Sequence, residues 1–596
     1  MLRTFWNSGS WKLWAAAVLA AALLELPFPL AGPMPAWRSV FAWFGLVPLL
    51  WALLAPASVE GPRPLRRGFL LGYLCGVLWY AGNCYWVRDV MLQYGDMPPL
   101  APTLLLMGFS LVLGTYFGLF GLGLALVRRA TGSTRWALAA APFLWAALEL
   151  AASRITSVPW DQLGYSQVDN ALVNQLAPWT GVYGISFLLV AANALYASGI
   201  LTRSQRVPTP PKPIDGRQPG WRLKALFGRE VWIATVPFLF FFLFSGGIMW
   251  VPPQPAPIAT AVLVQPNLSV AADSSWAGAG WANHIADFER LAGEQCKTYI
   301  AGIPQTGVPN DRSSSLGWKT SAPNGEIICP PTPTHSDLVV WPESPAPFYE
   351  SEPRFQQALA AIARQQQAPL IVGSLGEDFS PDDQESRQYN SALVIGVDGA
   401  RVGRYDKIHL VPFGEYIPFR RLLFFAHKLT GRVSDFTRGS ERKVFILAGQ
   451  NGQRHRYGVF ICYESAFADE VRQFARLGAE VLVNLSDDGW YGDTSAPWQH
   501  LNIARMRAIE NRRWILRDTN NGITAVIDPY GRVRQSIPRH AVDALPAEFG
   551  FRGDVTFYTA HGDIFGWLCV VLSLGIVGWS ARKLLRAWIA ESSARG

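Results

Sequence analysis

Eight apolar runs dominate this 596-residue chain, each near the roughly 20 residues that an α-helix needs to cross the hydrocarbon core of a bilayer. They fall at 13–31, 41–54, 69–87, 100–127, 136–152, 185–200, 231–250 and 564–579. Half of the residues are hydrophobic and 16% are charged, against roughly a quarter charged in soluble domains. A multi-span helical membrane protein is therefore the class expected, and a disordered scaffold is excluded by the same plenty of apolar residues. Every second connection is basic. Arg63, Arg66 and Arg67 follow span two, Arg128, Arg129 and Arg135 follow span four, and Arg203, Arg206, Lys212, Arg217, Arg222, Lys224 and Arg229 follow span six. Arg582, Lys583 and Arg586 follow span eight. Lys and Arg are retained on the cytoplasmic side during insertion, so these connections and both chain ends are expected inside. The net charge of +8 is then a matter of topology, and no nucleic-acid partner is expected. The first run follows Arg3 and Lys12 without a clean small-residue cleavage site and reads as an uncleaved anchor.

This topology divides the chain into three expected parts: a seven-helix bundle over 1–251, an extracytoplasmic domain over 252–560, and a last span with a cytoplasmic tail over 561–596. The outer segment alternates β-rich runs at 258–264, 338–341, 370–372, 392–397, 457–461, 481–485 and 523–527 with helical spacing at 355–366 and 466–477. That alternation is the pattern of a layered α/β domain. Asp398-Gly399 reads as a hairpin turn and Asp528-Pro529-Tyr530-Gly531 as another. No internal repeat is evident, and the Pro-rich stretch at 208–213 reads as a cytoplasmic linker.

Three strand candidates end in a reactive residue. Leu338-Val339-Val340-Trp341-Pro342 leads to Glu343, the second strand of the hairpin leads through Asp406 to Lys407, and Tyr457-Gly458-Val459-Phe460-Ile461 leads to Cys462. Catalytic groups in open α/β sheets collect beyond strand carboxyl ends. A thiol needs a base or a cationic neighbour to attack an acyl carbon at neutral pH. Glu343 can take its proton, while Lys407 can lower the thiol pKa and hold a developing oxyanion. Each residue alone also has a structural reading: a strand-end thiol as inert core, the two charges as loop surface. The histidines are scattered, with no closely spaced Cys/His set for a metal, and no phosphate-cradling Gly loop carries a Lys-Ser or Lys-Thr pair. Cofactor-free chemistry is expected.

The wording around the three residues goes further. Trp341-Pro342-Glu343-Ser344, the run Tyr405-Asp406-Lys407-Ile408-His409-Leu410-Val411-Pro412-Phe413-Gly414-Glu415-Tyr416, and Ile461-Cys462-Tyr463-Glu464-Ser465 together resemble the nitrilase superfamily of carbon-nitrogen hydrolases, whose catalytic set is Glu, Lys and Cys in that order. With the apolar runs, the chain resembles the membrane-embedded branch of that superfamily, the apolipoprotein N-acyltransferase family, over nearly its whole length. The resemblance implies an αββα sandwich for the outer domain, in a bacterial inner membrane with that domain on the periplasmic side. It implies that Cys462 takes an acyl chain from a phospholipid, the sn-1 chain of phosphatidylethanolamine, as a thioester. The chain then passes to the α-amino group of the diacylglyceryl-cysteine of an apolipoprotein, by a monomeric enzyme with ping-pong kinetics. It further implies supporting roles for Glu415, Tyr463 and Glu464, and substrate contacts for Trp490 and for either Trp276 or Trp281, with Trp281 preferred. Asp487 stands where the family carries Asn. The stretch from Cys296 to about residue 336 is longer than the family connection, and its Cys296 and Cys329 either pair outside the cytoplasm or remain free thiols. Glu149, Asn83, Arg88 and Asp89 fall near the outer ends of spans, where they either anchor at the interface or line a lateral lipid portal. Two other readings use the same residues: a membrane-tethered amidase that passes the acyl group to water, and a transporter with a non-catalytic outer domain.

Overall fold

The computed structural model describes residues 10–60, 63–95, 97–205, 252–269, 279–293, 297–299, 318–322, 325–329, 335–343, 348–380, 385–412, 414–416 and 436–593. The apolar run at 231–250 and Trp276 lie outside them.

The first half is a helical bundle: α1 (Trp11–Glu25), α2 (Val47–Leu54), α3 (Pro64–Asn83), α4 (Trp86–Tyr94), α5 (Leu100–Thr131), α6 (Thr134–Ile155) and α7 (Val182–Gln205). Five stretches among the described residues are long and apolar enough to cross a membrane: Ala36–Leu54, Leu100–Thr131, Thr134–Ile155, Val182–Thr202 and Ile564–Ser593. The run at 13–31 gives the shorter α1, 15 residues long, because Pro27 and Pro29 follow it and proline cannot continue a helix. The run at 69–87 gives the 20-residue α3, which opens on Arg66 and Arg67, then breaks after Asn83 and resumes as α4. Gly68, Gly72 and Gly76 recur every fourth residue along α3 and face α5. A Cβ at Gly72 would collide with the carbonyl oxygen of Phe117, and one at Gly76 with the Phe117 ring. Small residues at this spacing let two membrane helices touch backbone to backbone, where van der Waals packing replaces the missing hydrophobic drive.

The outer segment begins with β1 (Ala259–Gln265) and α8 (Ala279–Ala292), then a small sheet of β2 (Lys297–Tyr299), β3 (Trp318–Ala322) and β4 (Gly325–Cys329). It continues through β5 (Leu338–Trp341), α9 (Pro353–Gln366), β6 (Leu370–Ser380), β7 (Glu385–Ile395), β8 (Arg401–Asp406), β9 (Val444–Ala448) and β10 (Arg454–Ile461). The rest is α10 (Ala468–Arg476), β11 (Val481–Ser486), α11 (Ala496–Asn511), β12 (Trp514–Thr519), β13 (Ala525–Ile527), β14 (Val533–Ser536) and β15 (Asp543–Phe549). The chain returns to the bundle through α12 (Ile564–Ser593).

Two six-stranded sheets result, ordered β15-β1-β5-β6-β7-β8 and β14-β13-β12-β11-β10-β9. Strands β1, β5 and β6 run parallel, as do β10, β11 and β12. The period of two sorts the side chains. On β1 and β5, Ala261, Leu263, Leu338 and Val340 face the second sheet, while Val262, Val264, Val339 and Trp341 pack under Phe288 of α8 and Phe355 and Leu359 of α9. Helices α10 and α11 cover the far side of the second sheet, completing an αββα sandwich. Both expected turns form. Gly399, at φ +80°, closes β7 onto β8, and Gly531, at φ +78°, closes β13 onto β14.

Helix α11 leaves no residue fully exposed to solvent. Ile503, Met506 and Ile509 join the core of the bundle, while Leu501, Ala504 and Ala508 join that of the sandwich. The two halves thus share a packed interior, crossed by Trp160 Nε1–H donating to Gln499 Oε1 at 2.9 Å and Tyr463 O–H donating to the Ser157 carbonyl at 2.7 Å.

Candidate active site

Three strand ends converge where the two sheets face the bundle. Strand β5 delivers Glu343, β8 delivers Lys407 and β10 delivers Cys462. Cys462 opens a tight turn, Cys462–Ala466, with φ at +50°. A non-glycine residue in the left-handed region costs about 1 kcal/mol or more and persists only when its surroundings hold it there. Glu464 does much of the holding. One carboxylate oxygen accepts from the Ile461 N–H at 2.7 Å, and the other accepts from the N–H groups of Ile408 and His409 at 2.6 and 3.1 Å. The Tyr405 hydroxyl lies 2.8 and 2.9 Å from the two oxygens. A single buried side chain therefore clips the segment after β8 to the turn after β10, fixing Lys407 relative to Cys462.

Lys407 Nζ lies 2.9 Å from Glu343 Oε1 and 2.9 Å from Glu415 Oε1. Asn390 Nδ2 donates to the same two oxygens at 2.8 and 2.7 Å, and the Asp487 backbone N–H donates to Glu343 Oε2 at 2.8 Å. Burial alone would raise the Glu343 pKa, but the Lys407 ammonium and these donors, the Cys462 thiol among them, bring it below the ordinary carboxylate value. Lys407 is also opposed by burial, and the charges of Glu343 and Glu415 push it upward, so it stays an ammonium. For Cys462, burial and the Glu343 charge outweigh Lys407, and its pKa lies well above the ordinary thiol value. Lys407 does pull the thiol pKa down, as expected, but by less than burial and Glu343 raise it, so at rest the set is thiol, carboxylate and ammonium.

Beneath the nucleophile lies a fully buried polar layer that the sequence did not announce. His500 Nε2 is 3.0 Å from the Cys462 carbonyl oxygen, and its Nδ1 is 2.9 Å from Asp488 Oδ1. Arg517 pairs with Asp488 at 2.7 Å. Burial would raise Asp488, yet Arg517 and His500 hold it well below the usual carboxylate range. Its neighbour Asp487 has no cation among its partners. Burial and the Glu343 charge push it up to about 8, although the Gly489 N–H and Asn520 donate to it.

Glu343, Lys407, Cys462, Glu415 and Glu464 are brought together as expected. Tyr463 turns away toward the bundle, its ring stacked 6.3 Å from Trp160. Trp490 is 40% exposed and packs 5.2 Å from Tyr94 of α4. Trp281 stands apart on α8, against Phe348 and beneath Arg354. Cys296 lies outside the described residues, as does the side chain of Cys329. Glu149 accepts from Trp145 Nε1–H and the Leu163 N–H, each at 2.8 Å, and Asn83 donates to Asp161 at 2.8 Å. Arg88 and Asp89 pair with each other at the surface. Among the described residues no cluster of His, Cys, Asp and Glu is arranged to hold a metal. Asn390 and His500, which hydrogen-bond to Glu343 and to the Cys462 carbonyl, are residues that no sequence motif singled out. Asn390 alone left a local signal, as a polar residue entering the buried run Ser391 to Ile395.

Comparison with known proteins agrees with this architecture. Residues 298–543 match the carbon-nitrogen hydrolase family, and residues 15–195 match the apolipoprotein N-acyltransferase N-terminal domain. The apolipoprotein N-acyltransferase of Geobacter metallireducens is 33% identical over 570 residues, 95% of each chain. That of Vibrio cholerae is 29% identical over 95% of this chain and 97% of its own. Among solved structures, a branch 10 nitrilase-superfamily member from Saccharomyces cerevisiae matches 52% of this chain and 97% of its own at 18% identity, with a TM-score of 0.32. A Nesterenkonia amidase of the superfamily matches 53% and 99% at 15% identity, with a TM-score of 0.33. From its bundle through its catalytic sandwich, the chain belongs to the apolipoprotein N-acyltransferase family, a multi-pass membrane branch of the nitrilase superfamily.

Proposed function

We propose that this protein moves an acyl chain from the sn-1 position of a phospholipid, phosphatidylethanolamine in the first instance, to the α-amino group of the diacylglyceryl-cysteine of an apolipoprotein. The two lipids use one site in turn, through a thioester on Cys462. The observation that carries the reading is the left-handed turn at Cys462, which presents the thiol to Glu343 and Lys407 directly above the bundle.

In the first half-reaction, Glu343 takes the thiol proton as Sγ attacks the ester carbonyl. Lys407 Nζ and a backbone N–H beside Cys462 stabilise the oxyanion. Collapse breaks the C–O bond, the departing lysophospholipid oxygen takes the proton from Glu343, and the thioester remains. In the second half-reaction the neutral amine attacks the thioester carbon, Glu343 accepts its proton, and the C–S bond breaks. Sγ then recovers the proton, leaving an amide. Splitting the transfer in this way replaces one difficult displacement by two easier ones. Glu415 keeps Lys407 oriented by sharing it with Glu343. Glu464 fixes the turn, Tyr463 seats it on the bundle, and Trp490 and Trp281 serve as contacts for the lipids. The enzyme acts as a monomer, with residues 252–560 on the periplasmic face of the inner membrane, as the alternating basic connections require.

The test is mass spectrometry of the intact protein after incubation with phospholipid and no acceptor. One acyl mass on Cys462, absent from Cys462→Ala and released as amide by a diacylated peptide, is expected. Release of free acid instead, at the same rate with and without the peptide, would make the protein an amidase and refute the transfer.

A further inference from the structure

A second lipid-facing feature lies at the joint between bundle and sandwich, lined by none of the residues around Cys462. It is an open cleft of about 480 Å³ among Arg154, Asp469, Arg472, His561, Asp563 and Trp567. Arg154 ends α6, Asp469 and Arg472 lie on α10, and His561 and Asp563 form the turn into α12, whose first turns carry Trp567.

The charges are built in. Arg154 Nη2 is 2.5 Å from Asp563 Oδ2 and 3.1 Å from Asp469 Oδ2. Arg472 Nη2 is 2.6 Å from Asp469 Oδ1, and its Nη1 donates to the Thr559 carbonyl at 3.1 Å. Gly562 has φ at +65°, and a Cβ there would meet Arg472 Nε at 2.5 Å, so the glycine is what lets the guanidinium lie against this turn. Two guanidiniums face two carboxylates, so these four side chains together carry no net charge. What the cleft presents outward is mixed: Arg154 is 40% exposed and Asp469 31%, while Asp563 is only 3%. Asp563 therefore aims Arg154 from below, and Arg154, His561 and Asp469 remain accessible.

Depth and floor select the occupant. Helices α6 and α12 both cross the membrane, and their ends meet here, which places the cleft at the bilayer boundary, where tryptophans such as the exposed Trp567 anchor. Below it, Ile564, Leu568, Val571 and Leu572 are all exposed along α12, an apolar stripe that faces acyl chains in a membrane protein. A soluble anion has no use for that stripe. An anionic lipid would meet the carboxylate of Asp469, and a quaternary ammonium would have no N–H to give it.

The geometry points to a seat for the headgroup of a zwitterionic phospholipid with a primary ammonium, its phosphate at Arg154 and His561, its ammonium at Asp469 and its chains along α12. This lipid is neither donor nor acceptor in the acyl transfer. It bridges α6, α10 and α12, so its binding stabilises the joint between the two halves.

The experiment uses the full chain carrying Cys462→Ala, in detergent, titrated with non-cleavable diether phosphatidylethanolamine, phosphatidylcholine or phosphatidylglycerol, or with inorganic phosphate. Native mass spectrometry counts the lipids retained, and thermal unfolding reads the stabilisation. The protein is expected to retain one more phosphatidylethanolamine than the same chain with His561→Glu and Trp567→Ala. The carboxylate introduced at position 561 would face the phosphate and should weaken that lipid about tenfold. Both substitutions fall on exposed side chains, and each is also made singly, so the loss has to appear in a variant whose lipid-free unfolding temperature is unchanged. Equal retention by all variants, equal stabilisation by the three headgroups, or full stabilisation by phosphate alone would each overturn the assignment. Because no ester is cleaved and Cys462 is absent, either result leaves the acyl-transfer reading to its own test.

Discussion

Asp487 is 7% exposed and hydrogen-bonds through its backbone to the carboxylate that it repels through its side chain. Its folded pKa of about 8 exceeds the usual 3.8, so the sign of the linkage follows directly. Below about pH 4 both states hold the proton, and ionisation costs the fold nothing. Between there and about 8 the unfolded chain gives the proton up while the folded one keeps it, so stability falls as pH rises and levels off above. Asp487→Asn removes the slope: its unfolding temperature should exceed that of the parent by more at pH 8 than at pH 5. A difference that does not change with pH would show that the Asp487 carboxylate is not its origin. Glu464 differs in that its value lies in accepting. Burial raises its pKa, with four donors opposing. Glu464→Gln keeps the shape but turns an N–H₂ toward backbone N–H donors that cannot accept in return. Each unsatisfied buried group costs about 1–3 kcal/mol. Turnover should drop at least about tenfold, with KM for phospholipid little changed, because the substitution displaces Lys407 from Cys462 and leaves the lipid site alone. Steady-state kinetics on folded protein distinguishes this from a loss of binding.

Helix α11 shows what happens to an element packed on every side. Arg507 and Glu510, one turn apart, are fully buried and paired at 2.9 Å, with Tyr165 of the bundle also accepting from Arg507. Removing one partner strands the other charge, so Arg507→Met should cost about 3–5 kcal/mol, and the double change Arg507→Met with Glu510→Met should recover much of it. Denaturant unfolding of the four proteins in the cycle measures the coupling. The same helix marks the limit of what the sequence discloses. The strands that end in Glu343 and Cys462 are legible because each closes on a local apolar run stopped by a reactive residue, and the strand before Lys407 because the Asp398-Gly399 turn announces it. Strand β12 is not, since Arg517, Asp518 and Thr519 fill its second half. Those side chains are fully buried, and the partners of Arg517, Asn484, Asp488 and His500, all lie on other elements. Edge strand β9, Val444–Ala448, is an unbroken apolar run that the sequence reading passed over, with alternate residues facing solvent, whereas Pro546 and Glu548 interrupt the edge strand β15. The triad could be read as residues on strand ends. His500 beneath it could not, because its role exists only once α11 packs against the turn at Cys462.

At the scale of the whole molecule, the catalytic turn belongs as much to the bundle as to the sandwich. Tyr463, the residue after the nucleophile, donates to Ser157 in the loop after α6. Tyr94 of α4 donates to the Gly489 carbonyl at 2.8 Å, and Glu510 accepts from the Val182 N–H that starts α7. Each end of the active-site wall is thereby referenced to a different membrane helix. Expressed alone, residues 252–560 would uncover Ile503, Met506, Ile509 and Tyr491, a contiguous apolar face that favours association, and would free the strained φ of Cys462 to relax. The isolated domain is therefore expected to self-associate and to give no acyl-enzyme with phospholipid, or with a short, soluble thioester that needs no membrane site. Size-exclusion chromatography and intact-mass analysis read the two outcomes. Labelling of Cys462 by the soluble thioester at the full-length rate, in a monomeric isolated domain, would show that the sandwich holds its nucleophile unaided. The helices would then be a lipid portal and nothing more.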